Sequence, residues 1–525
     1  MKGRETMKKV EFSILATSDI HGYLFPTSYR NPDFSQLGLS KLASIIQKKR
    51  QDKPILLIEN GDFIQGSPLT FYHQKFFADQ PNPMIAAANH LKYDAAIFGN
   101  HEFNYGLGTL KDVMAQSNFP WLAANIYGDN EKHLGKPYII KEIDGVKIAL
   151  LGVTTHFVTL WEEPSNIQGL QFKDAYESAK QWVKIIRETE EIDLLVLCYH
   201  GGFERDLETG ELAEADTGEN QGYKMSEIEG VDILITGHQH RELATILNGK
   251  SVIQPGTKGI CMAEIQVTLQ FDQDSNIIGL HHEPSLIYVD DSTETDEDTC
   301  VQALPLQTQL ESWLDEPIGS VNGNMLIEDP FEARLADNPY VEFINNIQLQ
   351  ISGAQISGTA LFHNEKGGFG HQVTMRDIMN NYIYPNTLKV LLLSGNDIRL
   401  ALEQCATYFE VVDGNIVVNP EFLVPKAQPY NYDMWEGIDY EFTVSNPVGE
   451  RVTKLLWNNE PMSMTEEFKV VMNSYRATGA GNFPMFQNKP LLKEIQTDMI
   501  EMLAQYFIEK KEIQATCNQN WVVKL

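Results

Sequence analysis

The feature that most constrains the fold is an alternation of short aliphatic runs and helix-like segments over the first 290 residues. The helix-like segments between the runs include residues 39–51 and 174–191. The runs occupy residues 10–17, 54–60, 94–100, 146–153, 193–199 and 231–237. Strands that alternate with helices are typical of a layered α/β domain, so we expect one with a largely parallel or mixed sheet.

The end of this first domain differs in pattern from its beginning. After Gly237 the sequence is rich in strand-forming residues, with short turn-like interruptions. Such a pattern indicates antiparallel pairing. We therefore place the first domain at residues 8–290.

The rest of the chain predicts a second domain, because 525 residues are too many for one hydrophobic core. An acidic run followed by a helical pattern with Pro305 predicts a linking helix over 291–316. Beyond it we expect an α+β domain over 317–525. Helical patterns at 338–353 and 498–512 support this interpretation.

The acidic composition narrows the classes of partner. The chain has 41 basic and 72 acidic residues and a formal net charge of −31. Such a surface repels phosphate polymers, so we expect no binding to duplex DNA or long RNA. A small phosphate ligand stays compatible, because a local cluster of metal ions can outweigh the field of the whole protein.

Cysteine usage and hydropathy exclude further classes. The five cysteines are far apart and form no CxxC pair, which is typical of neither a disulfide framework nor a thiolate zinc site. No run of about 18 apolar residues occurs, and no apolar signal-peptide segment precedes the first strand. We therefore expect a cytoplasmic protein without a membrane partner.

Polar clusters follow five of the six aliphatic runs. Ligands of open α/β sheets bind at the carboxyl ends of the strands, so these clusters are expected to meet at one edge of one sheet. The clusters are Asp19-Ile20-His21-Gly22, Gly61-Asp62, Gly99-Asn100-His101-Glu102, His200-Gly201-Gly202 and Gly237-His238-Gln239-His240.

These residue types suit a metal site. Imidazole, carboxylate and amide oxygen are ligands for zinc, manganese and iron. One carboxylate can bridge two ions about 3.5–4 Å apart, the spacing used to hold both attacking and leaving oxygens in phosphoryl displacement. Alone, an Asp-x-His sequence is usually a turn, His238 and His240 fit two faces of a strand end, and His200 is more typical of a core histidine than of a ligand. Five clusters in order, all at strand ends, predict a metal centre.

The same stretches resemble a known family. "DIHG", "GDFIQGS", "GNHEF", "HGG" and "GHQH" are similar to the successive motifs of calcineurin-like metallophosphatases, and the following domain resembles the C-terminal domain of 5′-nucleotidases. The resemblance implies an N-terminal sandwich of mixed sheets flanked by helices and a C-terminal α+β domain that binds the nucleotide. It also implies two divalent metal ions: manganese, zinc or iron.

Within that family the sequence most resembles the 2′,3′-cyclic-nucleotide 2′-phosphodiesterase/3′-nucleotidases. Members of this branch are exported, so the resemblance does not carry the compartment over to this sequence. The implied activity is hydrolysis of 2′,3′-cyclic nucleotides and 3′-nucleotides to nucleoside and phosphate. A 5′-nucleotidase or broad sugar-phosphate phosphatase is the first alternative, and a nucleotide-binding protein without turnover is the second. The stretches that carry this narrower resemblance are "GNHEFNYGL" (99–107), "YIYPNTLKVLLLSG" (382–395), "YNYDMWEGIDYEF" (430–442) and "NSYRATGAGNFP" (473–484).

The resemblance assigns roles to the residues of the clusters. His101 matches the catalytic histidine, which contacts phosphate and is not a metal ligand. Asp62 would bridge the two metals. The first metal would be held by Asp19, His21, Asp62 and His240, and the second by Asp62, Asn100, His200 and His238.

Two departures from 5′-nucleotidases favour the narrower branch. The residue three past the catalytic histidine is Asn104 where 5′-nucleotidases typically have Asp. The stretch 363–377 stands where their Gly-rich, Arg-ending phosphate signature would be. Both point away from a typical 5′-nucleotidase.

The resemblance also places two aromatic residues that would hold the base. They match Tyr432 and Tyr475, with Tyr430 as a nearby competitor for the first position. Two rings can sandwich a nucleobase, although tyrosine in a β-rich domain is often ordinary packing.

Overall fold

The computed structural model describes residues 8–30, 34–128, 131–162, 164–212, 218–272, 276–383, 386–423, 427–495 and 497–525. Tyr384 and Pro385, in one of the stretches that carry the resemblance, lie outside these ranges. The chain divides into two compact units, Met1–Leu310 and Glu311–Leu525. The division falls inside the predicted linking segment, and the predicted domain limits stay predictions.

The first unit follows the predicted alternation of strands and helices. Its helices in the described residues are α1 (Leu39–Asp52), α2 (Pro68–Phe76), α3 (Pro83–Leu91), α4 (Gly106–Gln116), α5 (Val158–Trp161), α6 (Ala175–Thr189), α7 (Gly222–Ser226), α8 (Glu297–Cys300) and α9 (Leu304–Leu314), in which the division between units falls. Its strands there are β1 (Lys8–Thr17), β2 (Ile55–Glu59), β3 (Ala95–Ile97), β4 (Trp121–Leu122), β5 (Ile126–Tyr127), β6 (Tyr138–Ile143), β7 (Val146–Thr154), β8 (Gln171–Phe172), β9 (Leu194–His200), β10 (Ile233–Ile235), β11 (Glu242–Leu247), β12 (Lys250–Pro255), β13 (Cys261–Phe271) and β14 (Ile277–Tyr288).

Two six-stranded sheets form the body of this unit. One has the order β14-β13-β1-β2-β3-β4 and the other β11-β12-β10-β9-β7-β6. In the first, β1, β2 and β3 are parallel, and in the second β7, β9 and β10 are parallel. The antiparallel pairs β11–β12 and β13–β14 confirm the pairing predicted after Gly237. The carboxyl ends of the central strands therefore lie at one edge of each sheet.

Apolar residues from both sheets form one shared core, so the unit is a sandwich. Phe12 and Ile58 from the first sheet and Val196 and Ile253 from the second belong to the same buried cluster. Burying each such side chain contributes about 1.5–3 kcal/mol. The central strands are covered on both faces, which is why they read as aliphatic runs rather than as alternating patterns.

Helix α6 shows how the outer layer is specified. Asp174 caps it by accepting a hydrogen bond from the backbone N–H of Glu177. Ala175, Ala179 and Val183 recur at helical spacing and are buried in the cluster on the outer face of the second sheet. The predicted helix at 174–191 is thus confirmed.

The second unit is an α+β arrangement of several small sheets, and the helices predicted at 338–353 and 498–512 are observed. In its described residues the helices are α10 (Pro339–Ser352), α11 (Met375–Asn381), α12 (Gly395–Ala406), α13 (Ser474–Ala477) and α14 (Met499–Lys510). The strands there are β15 (Pro317–Asn322), β16 (Met325–Ile327), β17 (Ile356–Ala360), β18 (Gly367–Phe369), β19 (Gln372–Thr374), β20 (Leu388–Ser394), β21 (Phe409–Val412), β22 (Asn415–Val418), β23 (Asp433–Glu436), β24 (Asp439–Thr443), β25 (Val452–Trp457), β26 (Glu460–Pro461), β27 (Glu467–Asn473), β28 (Leu491–Ile495), β29 (Glu512–Gln514) and β30 (Trp521–Lys524).

The central sheet of this unit has the order β23-β17-β27-β20-β28, and a four-stranded sheet has the order β26-β25-β24-β30. Among the described residues, no helix has both the length and the apolar character that crossing a membrane requires.

Candidate active site

The five polar clusters follow β1, β2, β3, β9 and β10, and backbone hydrogen bonds fix two of them to each other. The N–H of Asp19 donates to the carbonyl of Gly61 at 2.8 Å, and the N–H of His21 donates to the carbonyl of Asp62 at 2.8 Å. The N–H of His238 reaches Oδ1 of Asp19 at 3.0 Å and so joins the second sheet to the first. The structure therefore brings the predicted ligands together, but at the common edge of two packed sheets and not at one edge of a single sheet.

Five of the seven predicted ligands adopt the left-handed backbone region. Their φ angles are 54° for Asp19, 50° for His21, 58° for Asp62, 69° for His238 and 57° for His240. Such residues cost of order 1–3 kcal/mol each and persist only where the surroundings enforce them. The strands and their hydrogen bonds therefore hold these turns in place.

One group of side chains gathers around His200. Its Nε2 lies 3.2 Å from Oδ2 of Asp62 and 3.2 Å from Oδ1 of Asn100. Nδ1 of His238 lies 3.0 Å from the same Asn100 oxygen. Asp62, His200 and His238 each offer an atom with the spacing of a metal site.

A second group gathers Asp19, His21 and His240. Nε2 of His21 lies 3.0 Å from Nε2 of His240, which is 3.5 Å from Oδ1 of Asp19. The Oδ2 atom of Asp62 is 3.9 Å from Nε2 of His21. Since the same oxygen is next to His200, Asp62 stands between the two groups.

The hydrogen-bond partners of three histidines assign which nitrogen carries the proton. Nδ1 of His200 is 2.7 Å from the carbonyl of Asn60, and Nδ1 of His21 is 3.0 Å from the carbonyl of Gln65. Nε2 of His238 is 3.0 Å from Oε1 of Glu219. These nitrogens donate, so the opposite nitrogen of each ring presents a lone pair to the site.

The site is therefore a set of acceptors facing one another. Carboxylate, amide and imidazole groups converge at 3.0–3.9 Å, which is favourable with a metal cation between them or, in the metal-free protein, with a proton on His200. Oxygen and nitrogen donors of this kind fit divalent zinc, manganese or iron.

The pKa values of the histidines and of Asp62 also show that the carboxylates of this site favour a nearby positive charge. Burial lowers the pKa of His21 to about 3, so this ring is neutral at physiological pH. Burial opposes protonation of His200, but the neighbouring carboxylates of Asp62 and Asp19 outweigh it and raise its pKa to about 10. Burial likewise opposes ionisation of Asp62, yet His200 and His101 hold the pKa of its carboxyl well below the ordinary range.

His101 lies beside the two groups without belonging to either. Its backbone N–H donates to Oδ1 of Asp62 at 2.8 Å, and its ring centre is 5.2 Å from that of His21. Nδ1 of His101 is 2.6 Å from Oδ1 of Asn104, whose amide donates to Oε2 of Glu162 at 2.6 Å. The Asn104 amide thus links the His101 imidazole to the Glu162 carboxylate, whereas in a direct His–Asp pair the carboxylate contacts the imidazole itself.

Glu162 and Asn166 were missed by the sequence analysis. Nδ2 of Asn166 donates to Oε1 of Glu162 at 2.9 Å and to the backbone carbonyl of Asn104 at 3.0 Å. Together they hold the Asn104 side chain in one orientation. They come from a segment some 60 residues further along the chain, so no local sequence pattern indicates their contact with Asn104.

Glu102 is a further residue whose role the sequence did not show. It is fully buried and accepts backbone N–H groups from the turn after β2: Asp62 at 2.8 Å, Phe63 at 2.7 Å and Ile64 at 3.3 Å. It also accepts the N–H of Gly99 at 2.6 Å. One carboxylate therefore ties the two ligand-bearing turns together.

Glycine is needed where these turns approach each other. A Cβ on Gly99 would lie 2.2 Å from Oδ1 of Asp62, and a Cβ on Gly61 would lie 2.4 Å from Nδ1 of His200. These glycines therefore allow the ligand-bearing turns to approach each other closely.

In the second unit the structure separates the two predicted base-binding tyrosines. Tyr432 has an exposed fraction of 0% and donates from its hydroxyl to the carbonyl of Arg334 at 3.0 Å. Its ring packs against Tyr408 and Phe409, with ring centres 5.2 and 5.0 Å away. It has no ring face open to a base, because core packing covers it.

Tyr475 differs, with 44% of its surface exposed. Its ring centre lies 6.4 Å from that of Tyr430, the predicted competitor, at an interplanar angle of 79°. The structure therefore pairs Tyr475 with Tyr430 and not with Tyr432.

A buried arginine joins the two segments that carry these rings. Arg476 is 1% exposed and pairs with Asp433 through Nε at 2.7 Å and Nη2 at 3.2 Å. It also donates to the carbonyl of Tyr430 at 2.7 Å and to that of Ala480 at 2.5 Å. Sequence reasoning missed this residue, although it directly follows Tyr475.

Comparison with known proteins gives two matching family models. Calcineurin-like phosphoesterase matches residues 12–242, and the 5′-nucleotidase C-terminal domain matches residues 317–488. A Staphylococcus aureus protein provisionally named a 5′-nucleotidase, solved with α-ketoglutarate, is 36% identical with a TM-score of 0.79. The match covers 98% of this chain and 100% of that one.

Two curated relatives are named for their reactions. The trifunctional nucleotide phosphoesterase YfkN of Bacillus subtilis is 26% identical over 98% of this chain, which spans 39% of the length of that relative. The 2′,3′-cyclic-nucleotide 2′-phosphodiesterase/3′-nucleotidase of Yersinia enterocolitica is 28% identical over 89% of this chain and 80% of the relative.

Proposed function

Because this chain belongs to the calcineurin-like phosphoesterase family and carries a 5′-nucleotidase C-terminal domain, we propose that it hydrolyses 2′,3′-cyclic nucleotides and 3′-nucleotides at a dinuclear metal centre. The products would be a nucleoside and phosphate. The observation that supports this most is the convergence of acceptor atoms on His200 and His21, which needs cations to be stable.

The proposed ligands are those that the resemblance implies. Two divalent cations bound there would supply a nucleophilic oxygen at neutral pH and positive charge for the phosphoryl oxygens. Asp62 is the proposed bridge, since its Oδ2 faces both groups. The first ion would be held by Asp19, His21, Asp62 and His240, and the second by Asp62, Asn100, His200 and His238.

His101 is proposed to act on the phosphate directly. Its backbone N–H is held by Asp62 and its Nδ1 by Asn104, which leaves Nε2 to hydrogen-bond a phosphoryl oxygen or to protonate the leaving ribose oxygen. Asn104 and Glu162 fix the ring orientation, and Glu102 fixes the turns on which Asp62 and His101 stand.

Substrate class is proposed from the relatives and from Asn104. The Yersinia relative is named for cyclic-nucleotide and 3′-nucleotide hydrolysis, whereas the Staphylococcus protein is provisionally named a 5′-nucleotidase. An amide at Asn104, in place of a carboxylate, favours the first. The exposed ring of Tyr475, beside Tyr430, is the proposed stacking surface for the base.

A phosphate-release assay on a panel of substrates tests the proposal. The panel contains 2′,3′-cyclic AMP, 3′-AMP, 5′-AMP and a sugar phosphate, each with added Mn²⁺, Zn²⁺ or Fe²⁺. The highest kcat/KM is expected for the cyclic and 3′ substrates. A preference for 5′-AMP or the sugar phosphate would establish the first alternative. Nucleotide binding without turnover under every metal would establish a binding protein.

A further inference from the structure

A series of hydrogen bonds begins at His101 and leads through Asn104 to a buried carboxylate. Nδ1 of His101 is 2.6 Å from Oδ1 of Asn104, and Nδ2 of Asn104 is 2.6 Å from Oε2 of Glu162. Oε1 of Glu162 is 2.9 Å from Nδ2 of Asn166. These contacts, from His101 to Asn166, form one hydrogen-bond series. The direction in which each of its bonds donates determines which ring nitrogen of His101 carries a hydrogen.

The backbone fixes the far end of the hydrogen-bond series. Nδ2 of Asn166 also donates to the backbone carbonyl of Asn104 at 3.0 Å, and a carbonyl can only accept. An Asn166 amide turned the other way would place its oxygen against that carbonyl and against the Glu162 carboxylate. Glu162 itself is only 6% exposed, and its backbone N–H donates to the carbonyl of Val158 at 2.9 Å, at the end of α5. Asn166 and Glu162 are therefore held in fixed roles, as donor and acceptor.

Glu162 in turn determines the orientation of the Asn104 amide. An ionised carboxylate accepts hydrogen bonds and does not donate them, so the part of Asn104 that faces it must be the NH₂ group. The oxygen of the same amide is then directed at His101. Because that oxygen can only accept, Nδ1 of His101 must carry a hydrogen. Nε2 is left as the nitrogen that faces the substrate.

We propose that Glu162 is a positioning residue that keeps a hydrogen on Nδ1 of His101, an inference that rests on the proposed function, in which Nε2 of this ring acts on the phosphate. The negative charge of Glu162 is essential to this role, because an amide of the same size cannot accept at both ends. In Glu162→Gln, either the introduced NH₂ group meets the NH₂ group of Asn166, or Asn104 turns and directs its own NH₂ group at Nδ1 of His101.

Asn104 and Glu162 are matched to each other as amide and acid. Asn104→Asp alone would place two carboxylate oxygens about 2.6 Å apart, at the positions of Nδ2 of Asn104 and Oε2 of Glu162, where like charges repel. Combining it with Glu162→Gln removes the repulsion. The introduced carboxylate would accept from His101 and from the introduced amide, whose oxygen would accept from Asn166. The exchanged pair thus rebuilds every bond of the series in the same direction.

A double-mutant cycle on the full chain tests this role. Glu162→Gln and Asn104→Asp should each lower kcat on 3′-AMP with added Mn²⁺ by about tenfold or more, within the range expected for disturbing a positioned acid or base. KM and metal content should stay nearly constant. The double variant should recover most of the loss in kcat, which a merely space-filling Glu162 would not allow. Glu177→Gln, an exposed carboxylate in α6, is the matched control and should have no effect.

Nitrogen-15 NMR of ring-labelled histidines provides a readout without turnover. The signals of His101, identified by their loss in His101→Ala, should show a hydrogen on Nδ1 in the wild type and in the double variant, and an altered pattern in Glu162→Gln. Since this measurement needs no substrate, it decides the role of Glu162 even where the substrate panel refutes the proposed reaction. Unchanged ring signals and kcat in Glu162→Gln, or a double variant with native circular dichroism that recovers neither, would overturn the proposal.

Discussion

The candidate metal centre of the first unit and the tyrosine pair of the second are built by different means. The metal centre sits on turns at strand ends, where backbone hydrogen bonds and Glu102 fix each ligand. Tyr475 lies in the short helix α13 and Tyr430 in the segment before β23, and buried Arg476 links the two through Asp433 and the carbonyl of Tyr430. One region is positioned by the sheet, and the other by one buried side chain, Arg476, which pairs with Asp433 and donates to the carbonyls of Tyr430 and Ala480.

That difference determines how each region responds to the substitution of one residue. Loss of one ligand leaves the other turns in place, so the effect is chemical. Loss of the arginine releases both segments, so the effect is structural before it is functional. The predictions below separate these two kinds of response.

The largest effect is expected for Asp62→Ala. This change removes the proposed bridge between both groups, so kcat/KM should fall by about 10⁴-fold or more, as expected for losing several kcal/mol of stabilisation. Chelation of the wild type should have the same effect, and added Mn²⁺ should reverse it. Asp52→Ala, at an exposed helix end, is the matched control. Full activity in protein verified as metal-free would contradict the two-metal proposal.

The second-largest loss of activity is expected for His101→Ala. We expect kcat to fall by about 10²–10⁴-fold while metal content stays unchanged, because the side chain contacts substrate and not the ion. Elemental analysis and steady-state kinetics on the same preparation give both quantities. A variant that loses metal, and regains normal turnover when metal is added, would show His101 to be a ligand.

Arg476→Ala tests the second region. Leaving Asp433 buried without its partner should lower the free energy of unfolding by about 3–5 kcal/mol, measured by denaturant titration. Lys454→Ala removes an exposed positive charge nearby in sequence and should have little effect. An unchanged stability in Arg476→Ala would show that the ion pair does not hold the two segments.

Tyr475→Ala should have a smaller and more selective effect. Loss of one stacked ring corresponds to about 1–3 kcal/mol, or roughly a 5- to 150-fold rise in KM for nucleotides. Turnover of a small arylphosphate without a base should be unaffected. Tyr430→Ala should behave alike, whereas Tyr432→Phe should not alter the KM ratio between the two substrates. An equal loss of activity on both substrates would show that Tyr475 does not bind the base.

The smallest expected effect is the release of a proton when a metal ion binds. The pKa of His200 in the metal-free protein, raised to about 10 by Asp62 and Asp19, keeps the ring protonated near neutral pH. A cation bound at this ring should therefore release about one proton, measured by calorimetry in buffers of different ionisation enthalpy. Because folding raises the pKa of His200, protonation of this ring stabilises the metal-free fold. This contribution is fully present below about pH 6.5 and is lost as the pH rises through about 10. No proton release at pH 8 would contradict the assignment.

The sequence predicted the first region far better than the second. Its strands and helices have strong periodicity, and a ligand that directly follows a strand is located as soon as the strand is. The residues that support it, such as Glu162 and Glu219, act through contacts distant in sequence and carry no local pattern.

Tyr432 shows what the sequence leaves open in the second region. Two tyrosines, Tyr430 and Tyr432, stand two residues apart, and which ring is buried depends on packing against Tyr408 and Phe409.

The left-handed turns also limit how the metal centre can be re-engineered. Aspartate, histidine and asparagine are the side chains enriched in that backbone region, and they are also the proposed ligands of this site. Backbone and coordination chemistry thus select from the same short list of amino acids. Replacing His21 or His240 by a β-branched residue would meet two penalties at once. A successful ligand exchange would accordingly need a redesigned turn as well as a new donor atom.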